Sequence, residues 1–296
     1  MATNKLKAYF KSTDHAFNLL HGDCMTMLRM FDFSFSMIFA DPPYFLSNGG
    51  ISCQSGKMAC VDKGSWDKGL TPERMHEYNY SWLKLCKEKL KDNGTIWISG
   101  TYHNIFSVAE CLQQLDYKIL NVITWAKTNP PPNLSCRYFT HSTEFIIWAR
   151  KSQKAAHYFD YPMMKHLNDE KQMTDVWRLP AIAPWEKKCG KHPTQKPLAL
   201  LCRIILASTK PGDWILDPFA GSSTTGIAAN LIGRRYLGIE QEQDFIELGI
   251  KRKQEIERLE TYMSFRNKIA DVAKSEALCN NLFTSEPAPS EELPFL

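Results

Sequence analysis

With 296 residues and 44% hydrophobic content, the chain is long enough for one large or two ordinary domains with a sizeable core. No run approaches the roughly 18 uninterrupted apolar residues that a membrane span needs, and the polar Met1 to Lys11 start has no signal-peptide core, so a cytoplasmic protein is expected. Nine scattered cysteines without a Cys-x-x-Cys pair argue against a disulfide framework and a zinc site.

The formal net charge of +4 is unevenly spread. Residues 276 to 296 carry four acids and no Lys or Arg, so 28 of the 32 acids face 36 basic residues in the first 275. A basic body of this kind suits a polyanionic partner.

Phe17 to His21 reads as a short strand, Gly22-Asp23 as a turn, and Cys24 to Met30 as a short helix with Asp23 as its N-cap. The apolar run Phe35 to Ala40 reads as a buried strand, stopped by Asp41-Pro42-Pro43-Tyr44. Proline cannot donate to a ladder, so the chain must leave the sheet at Asp41. That sets a carboxylate, a proline turn and an aromatic ring beyond the carboxyl end of a strand, where open α/β sheets bind ligands. Asp41 and the Pro42 carbonyl only accept hydrogen bonds and Tyr44 offers a stacking face, a combination that suits a flat, amino-bearing group. An ordinary strand-ending turn explains the same residues when they are taken alone.

From Phe45 to Lys68 periodicity vanishes, and so long a structureless stretch reads as a mobile, functional loop. Thr71 and Pro72 open a helix whose apolar positions Met75, Tyr78, Trp82, Leu85 and Cys86 recur at helical spacing to Lys91. Asp92-Asn93-Gly94 turns into the strand Thr95 to Gly100, then come a helix over Ile105 to Leu115 and strands over Ile119 to Trp125 and Thr143 to Ala149. The linker Lys127 to His141 holds Pro130, Pro131 and Pro132 and should be extended and stiff. Alternating strands and helices predict a mostly parallel sheet with helices on both faces, and the last two strands, lacking a helix-sized spacer, predict an antiparallel edge.

Residues 151 to 190 show little regular pattern. Between Arg150 and Lys191 nine Lys or Arg stand against five Asp or Glu, interleaved with Tyr158, Phe159, Tyr161, Trp177 and Trp185. That mix fits a polyanion with bases to touch, or a solvated face over buried aromatics. A helix over Pro197 to Ser208 and a strand over Trp214 to Leu216 follow.

The second motif comes next: Asp217-Pro218-Phe219-Ala220-Gly221-Ser222-Ser223-Thr224-Thr225-Gly226, opening a helix over Ile227 to Leu231. Small residues after a strand let the backbone approach a ligand, and the helix they open presents free N-H groups. About 20 residues on, the strand Tyr236 to Glu240 ends in an acid, the register at which dinucleotide-type folds place a carboxylate on ribose hydroxyls. No Gly-Lys-Ser/Thr follows, so a ligand with a ribose but no triphosphate fits better than a nucleotide triphosphate. Residues 242 to 274 read as one long charged helix, a dimer surface or a solvated end, and the acidic tail 276 to 296 as disordered.

Asp41 to Tyr44 together with Asp217 to Thr225 resembles the DNA amino-methyltransferases that use S-adenosylmethionine, in the motif order of their β class. His192-Pro193-Thr194-Gln195-Lys196-Pro197 and His141 to Glu144 support the resemblance, which covers roughly residues 15 to 255. Asp41 to Gly50 and Asn129 to Glu144 further resemble the DpnA-type enzymes of GATC restriction-modification systems. The resemblance implies a Rossmann-like methyltransferase sheet, a single catalytic domain over 1 to 275 with an inserted target-recognition segment at about 151 to 190, and transfer of a methyl group to N6 of adenine in DNA. It also implies that Asp41 and Pro42 hold the exocyclic amine, with Pro43 completing the turn and Tyr44 stacking on an extruded base.

For the cofactor the resemblance implies ribose contacts from Glu240, a loop of Asp217, Pro218, Phe219, Gly221, Ser222, Ser223 and Thr224 around the methionine moiety, and Lys196 at its carboxylate. Thr194, Gln195 and Asp23 are expected nearby, and Asp41 at the cofactor's ammonium. Ser223 stands where the family usually has glycine, a strain of about 1 kcal/mol if that position needs positive φ. Lys and Arg of 151 to 190 and 45 to 68 should grip phosphates of duplex or single-stranded DNA, while Arg178, Asn168 and Gln172 read base edges. A homodimer and a cognate restriction endonuclease are the expected partners. The competing readings are N4 of cytosine, which more often resembles Ser-Pro-Pro-Tyr, methylation of RNA or of a protein glutamine, and a non-catalytic DNA-binding module.

Overall fold

A computed structural model describes residues 6–45, 51–54, 57–60, 70–133, 135–190, 192–279 and 292–296. Strands β1 (Phe10–Lys11) and β2 (Phe17–His21), helix α1 (Cys24–Arg29), β3 (Phe35–Ala40) and a hairpin of β4 (Ile51–Gln54) and β5 (Lys57–Cys60) lead to α2 (Pro72–Glu88). Then come β6 (Leu90–Gly100), α3 (Ile105–Gln114), β7 (Lys118–Lys127), β8 (Thr143–Arg150), α4 (Tyr161–Leu167) and β9 (Val176–Leu179). The chain closes with α5 (Leu198–Ser208), β10 (Trp214–Asp217), α6 (Thr224–Leu231), β11 (Arg235–Glu240), α7 (Gln243–Ile256), α8 (Leu259–Lys268) and α9 (Ala270–Cys279).

Nine strands form one sheet in the order β1-β2-β11-β10-β3-β6-β8-β7-β9. Its centre, β2 through β6, is parallel, and β8 runs antiparallel to both β6 and β7. This is the mostly parallel sheet with an antiparallel edge that the element pattern predicts. Successive side chains of a strand point to opposite faces, so β3 feeds two cores at once. Met37 and Phe39 pack with α5, α6 and the C-terminal helices, while Ile38 and Ala40 pack with α1, α2 and α3.

Three expectations need correction. Asp92-Asn93-Gly94 is not a separate turn ahead of the strand: it is taken up inside β6, where the partner of Phe35 is Leu90 but the partner of Met37 is Thr95. The segment 242 to 274 is not one helix but α7, α8 and the start of α9, broken at Arg258 and Ile269, both extended. Burial explains the breaks: Ile256, Ile269 and Val272 enter the core, and Arg203 of α5 holds Asp271 of α9 with Nε to Oδ2 at 2.7 Å and Nη2 to Oδ1 at 3.1 Å. A straight helix could not return to make those contacts.

Of the tail 276 to 296 expected to be disordered, 276–279 end α9 and 280–291 lie outside the described residues, as does most of the 45 to 68 stretch apart from the β4–β5 hairpin. Residues 292–296, by contrast, dock on the α1–α3 side of the sheet. Leu293 is 2% exposed, Phe295 stacks on Phe31 at 4.5 Å between centroids, and the Leu6 amide donates to the Phe295 carbonyl at 2.8 Å. No helix among the described residues is long and apolar enough to cross a membrane.

Leu293→Ala should therefore destabilise the fold by about 2–4 kcal/mol, the usual result of truncating a buried leucine. Urea unfolding followed by tryptophan fluorescence would read this, and a loss below about 0.5 kcal/mol would mean that the terminus does not dock.

Candidate active site

The carboxyl ends of β2, β3, β10 and β11 open onto one cleft of about 800 Å³, counted to its mouth. Asp41 and Pro43 line it from β3, Asp23 from the start of α1, and Asp217 through Gly221 from the turn after β10. Ser222 and Thr224 continue that wall, Glu240 closes the end of β11, and Thr194, Gln195 and Lys196 approach from the start of α5. The two sequence motifs meet because β3 and β10 are hydrogen-bonded neighbours, with Ile215 opposite Met37 and Leu216 opposite Ile38.

At the floor lies a paired set of charges. Lys196 Nζ donates to Asp41 Oδ2 at 2.6 Å and to the Tyr44 hydroxyl at 3.1 Å, and it stands 3.7 Å from Glu144 Oε2. Lys127 Nζ meets Glu144 Oε1 at 2.5 Å. The Tyr44 hydroxyl donates to Asp41 Oδ1 at 2.6 Å and also bonds Ser99 Oγ at 3.1 Å. Lys196 is only 6% exposed. Burial alone would lower the pKa of its ammonium, but the negative Asp41, then Tyr44 and Glu144, lift it well above the lysine norm. Two carboxylates and two ammonium groups therefore neutralise one another, and both Asp41 oxygens are fixed in direction.

This geometry revises three expectations. Lys196 faces Asp41 rather than standing free for a cofactor carboxylate, because the cluster offers its ammonium two acids. Tyr44 has no open stacking face: it is 6% exposed, its hydroxyl is engaged with Asp41, and the Lys196 ammonium lies 5.3 Å from its ring centroid. Pro42 is buried and stays out of the cleft lining.

The cofactor-type loop is braced from behind. Ser223 is fully buried with φ +58°, the left-handed conformation that its place in the motif suggested, and it too is absent from the lining. A Cβ on Gly249 of α7 would come within 2.5 Å of Ser223 Oγ, so the helix needs glycine where the loop presses on it. Arg252, one turn further on, donates from Nη1 to the Ser222 carbonyl at 2.6 Å, to Ser222 Oγ at 3.0 Å and to Thr224 Oγ1 at 2.8 Å.

Glu240 and Asp217 shape the cleft's polarity. Glu240 Oε2 accepts from the Gly221 amide at 2.6 Å, and Oε1 from the Gln241 and Glu242 amides at 3.0 and 2.9 Å. A carboxylate has about four lone-pair sites, so Oε2 keeps capacity for a ligand hydroxyl. Asp217 accepts from the Phe219 amide at 3.1 Å and from the Thr225 hydroxyl at 2.5 Å, yet burial pushes its pKa up to about 7. Asp23 both lines the cleft and caps α1, accepting from the Thr26 amide at 2.9 Å.

The sequence reading gave no site role to His192, whose ring meets Phe245 at 4.2 Å, or to Tyr78, Gln241 and Glu242, all in the lining. Nor did it give one to the supports Ser99, Lys127, Glu144 and Arg252, although His192 and Glu144 lie in its supporting motifs. Glu186 belongs with these: it accepts from the Leu198 amide at 2.7 Å and so holds the first turn of α5 behind Lys196. Of the expected base readers only exposed Arg178 lies toward the cleft edge, on β9 opposite Ala126. Asn168 and Gln172 precede β9 and are partly or fully exposed. The Asn168 amide is spent on the Lys171 and Gln172 carbonyls.

A family model for DNA methylases, the N6 and N4 amino-methyltransferases, matches residues 35–251. The chain is 56% identical over 253 residues to the type II methyltransferase M2.MboI of Moraxella bovis, covering 85% of this chain and 93% of that one. It is 59% identical over 236 residues to M2.DpnII of Streptococcus pneumoniae, covering 79% and 88%. Among solved structures, the M1.HpyAVI-SAM complex superposes with a TM-score of 0.62 at 29% identity, covering 80% of this chain and 98% of that one. The cytosine-N4-specific PvuII methyltransferase shares the fold, with a TM-score of 0.66 at 18% identity, covering 90% and 97%.

Asp217→Asn probes the electrostatics of this cleft. The folded state holds the Asp217 proton more tightly than the unfolded chain does, so the ionised side chain weakens the fold as pH rises from about 4 to about 7. The variant should gain in melting temperature relative to the parent across that window and keep a constant lead above it. Parallel melting curves with no pH-dependent gap would show that Asp217 is not buried as drawn.

Proposed function

The chain belongs to the DNA methylase family and uses S-adenosylmethionine, and on that premise we propose that it methylates N6 of adenine at GATC sites within a restriction-modification system. The observation that carries the reading is that Asp41 and the 217–225 turn open onto one cleft. The residues present fit the cofactor: a carboxylate with spare lone-pair capacity at Glu240 for a ribose, and a turn of small residues at 220–225 that lets the backbone come close.

S-adenosylmethionine supplies an electrophilic methyl group on a positively charged sulfur. The protein's task is alignment, since an exocyclic amine whose lone pair is delocalised into the ring is a weak nucleophile. Asp41, held from both sides by Lys196 and Tyr44, accepts an N-H of the amine and directs its nitrogen toward the donor. Each of its oxygens keeps a second lone pair for this bond. Tyr44 and Lys196 act on Asp41, and stacking on the extruded base falls to other rings or follows a rotation of Tyr44 out of its pocket.

In this reading DNA lies across the carboxyl edge of the sheet. Arg178 and Lys188 approach its phosphates, and the target-recognition segment is the part of 151 to 190 that faces this edge. A homodimer, a cognate endonuclease and a place in the cytoplasm belong to the same reading.

Asp41→Ala should abolish transfer, by more than about 10³-fold in kcat, while cofactor binding stays measurable by calorimetry. Nucleoside analysis of the product should show N6-methyladenine, and N4-methylcytosine in its place would overturn the choice of base. Lys196→Met should lower kcat by at least about tenfold with a smaller change in cofactor Kd, because it leaves Asp41 without its ammonium partner. A selective loss of cofactor affinity would instead return Lys196 to the cofactor's carboxylate.

A further inference from the structure

The most exposed large apolar side chain of the described residues is Phe139, at 97%, with Tyr138 beside it at 60%. Both sit between β7 and β8, in a stretch that the sequence reading took for a stiff connection and part of the family resemblance, with no role assigned to either ring. Its backbone is tightly organised. Asn133 donates from Nδ2 to the Tyr138 carbonyl at 2.6 Å, and its Oδ1 accepts from the Ser135 amide at 3.0 Å and hydroxyl at 2.9 Å. Cys136 takes a positive φ of 52° to close the turn.

The rings after the turn form a platform. His141 stacks on Tyr102, which follows β6, with centroids at 5.1 Å and 20° between planes, and Tyr138 leans on His141 at 5.4 Å. Phe139 projects from this support into water. Such exposure is unfavourable without an occupant, and a cluster of it marks a binding surface.

The cluster sits on the carboxyl edge of the sheet, outside the cleft lining, because Tyr102 stands two residues beyond the end of β6. Phe139 is five residues from Glu144, at most about 18 Å of extended chain, and Glu144 shares Lys196 with Asp41. Arg137, two residues before Phe139, is exposed and adds positive charge to this loop. A duplex set down with its target base over Asp41 would bring its neighbouring bases against this rim.

We infer that Phe139, backed by the Tyr138–His141–Tyr102 platform, is the wedge that enters the duplex and fills the space left by the extruded base. This rests on the reading of Asp41 as the group that receives that base. Extrusion costs unstacking and unpairing, and apolar side chains inserted at a base step are a general means of offsetting it. The wedge is dispensable where there is no stack to break. Duplex and single-stranded targets should therefore respond differently to its removal.

The test compares Phe139→Ala, Phe139→Trp and the parent on a GATC duplex, on the same strand alone, and on the duplex with an abasic site opposite the target adenine. For Phe139→Ala, kcat/KM on the paired duplex should fall on the order of tenfold, with little change on the single strand or the abasic duplex. Phe139→Trp should recover most of the loss. The fluorescence rise of 2-aminopurine at the target position, which reports unstacking, should shrink with Phe139→Ala. Equal losses on all substrates, or no loss on the duplex, would overturn the wedge. Failure of the parent on every DNA would instead refute the target reading, and the two results are distinguishable.

Discussion

Four side chains of opposite sign carry the arrangement of this molecule's chemical edge: Asp41, Lys196, Glu144 and Lys127. Each comes from a different segment, namely the end of β3, the start of α5, the start of β8 and the end of β7. An unpaired charge at such depth would be costly, whereas the alternating set satisfies every member. Docking of those segments is therefore conditional on their charges arriving together. The pairing joins residues 155 positions apart in the chain, so the loop after β3 cannot be correctly placed until α5 is. Tyr44 and Ser99 tighten the same knot by hydrogen bonds from the sheet side.

The cofactor wall depends on a second hidden cation. Arg252 reaches up from α7 to three oxygens of the Ser222–Thr224 turn, at a depth where burial lowers its pKa to about 10. The turn needs that brace because Ser223 is held left-handed, a conformation that costs a non-glycine residue about 1 kcal/mol. Gly249 gives the serine room that any larger residue would remove. Strain in the loop is thus balanced by packing and hydrogen bonds from the helix beneath it, which fixes the course of the turn.

Local rules made much of this legible in the sequence. Short continuous apolar runs announced β3, β10 and β11, prolines fixed where β3 must end, and small residues between two strands marked a close-approach loop. What escaped was long-range pairing. Nothing local says that Lys196 would find Asp41, that Arg252 and Lys253 in a charged stretch would be buried, or that Leu293 and Phe295 would return to Phe31. Local pairing misled in another way: Asn168 shares a basic segment with Arg178, but its side-chain amide is spent on the Lys171 and Gln172 carbonyls. Residue type alone could not separate them.

The meeting of the two motifs owes little to their order in the chain. Neighbouring strands lie about 4.8 Å apart, and β3 and β10 are paired in register, so the residues leaving their ends are set side by side by the sheet itself. Asp41 is three residues beyond Ile38 and Asp217 one beyond Leu216, the two partners at the last rung. The separation between the Asp41 carboxylate and the 217–225 turn is therefore a property of sheet spacing and of two strand-ending turns. A rearrangement of the chain that preserved this pairing would preserve the site, whereas slipping β3 by one residue would send Met37 and Phe39 to the wrong core and turn Asp41 away from Lys196. The same alternation that sorts the apolar residues of β3 between two cores aims its terminal acid, so the fold's packing and the direction of the Asp41 carboxylate are one constraint.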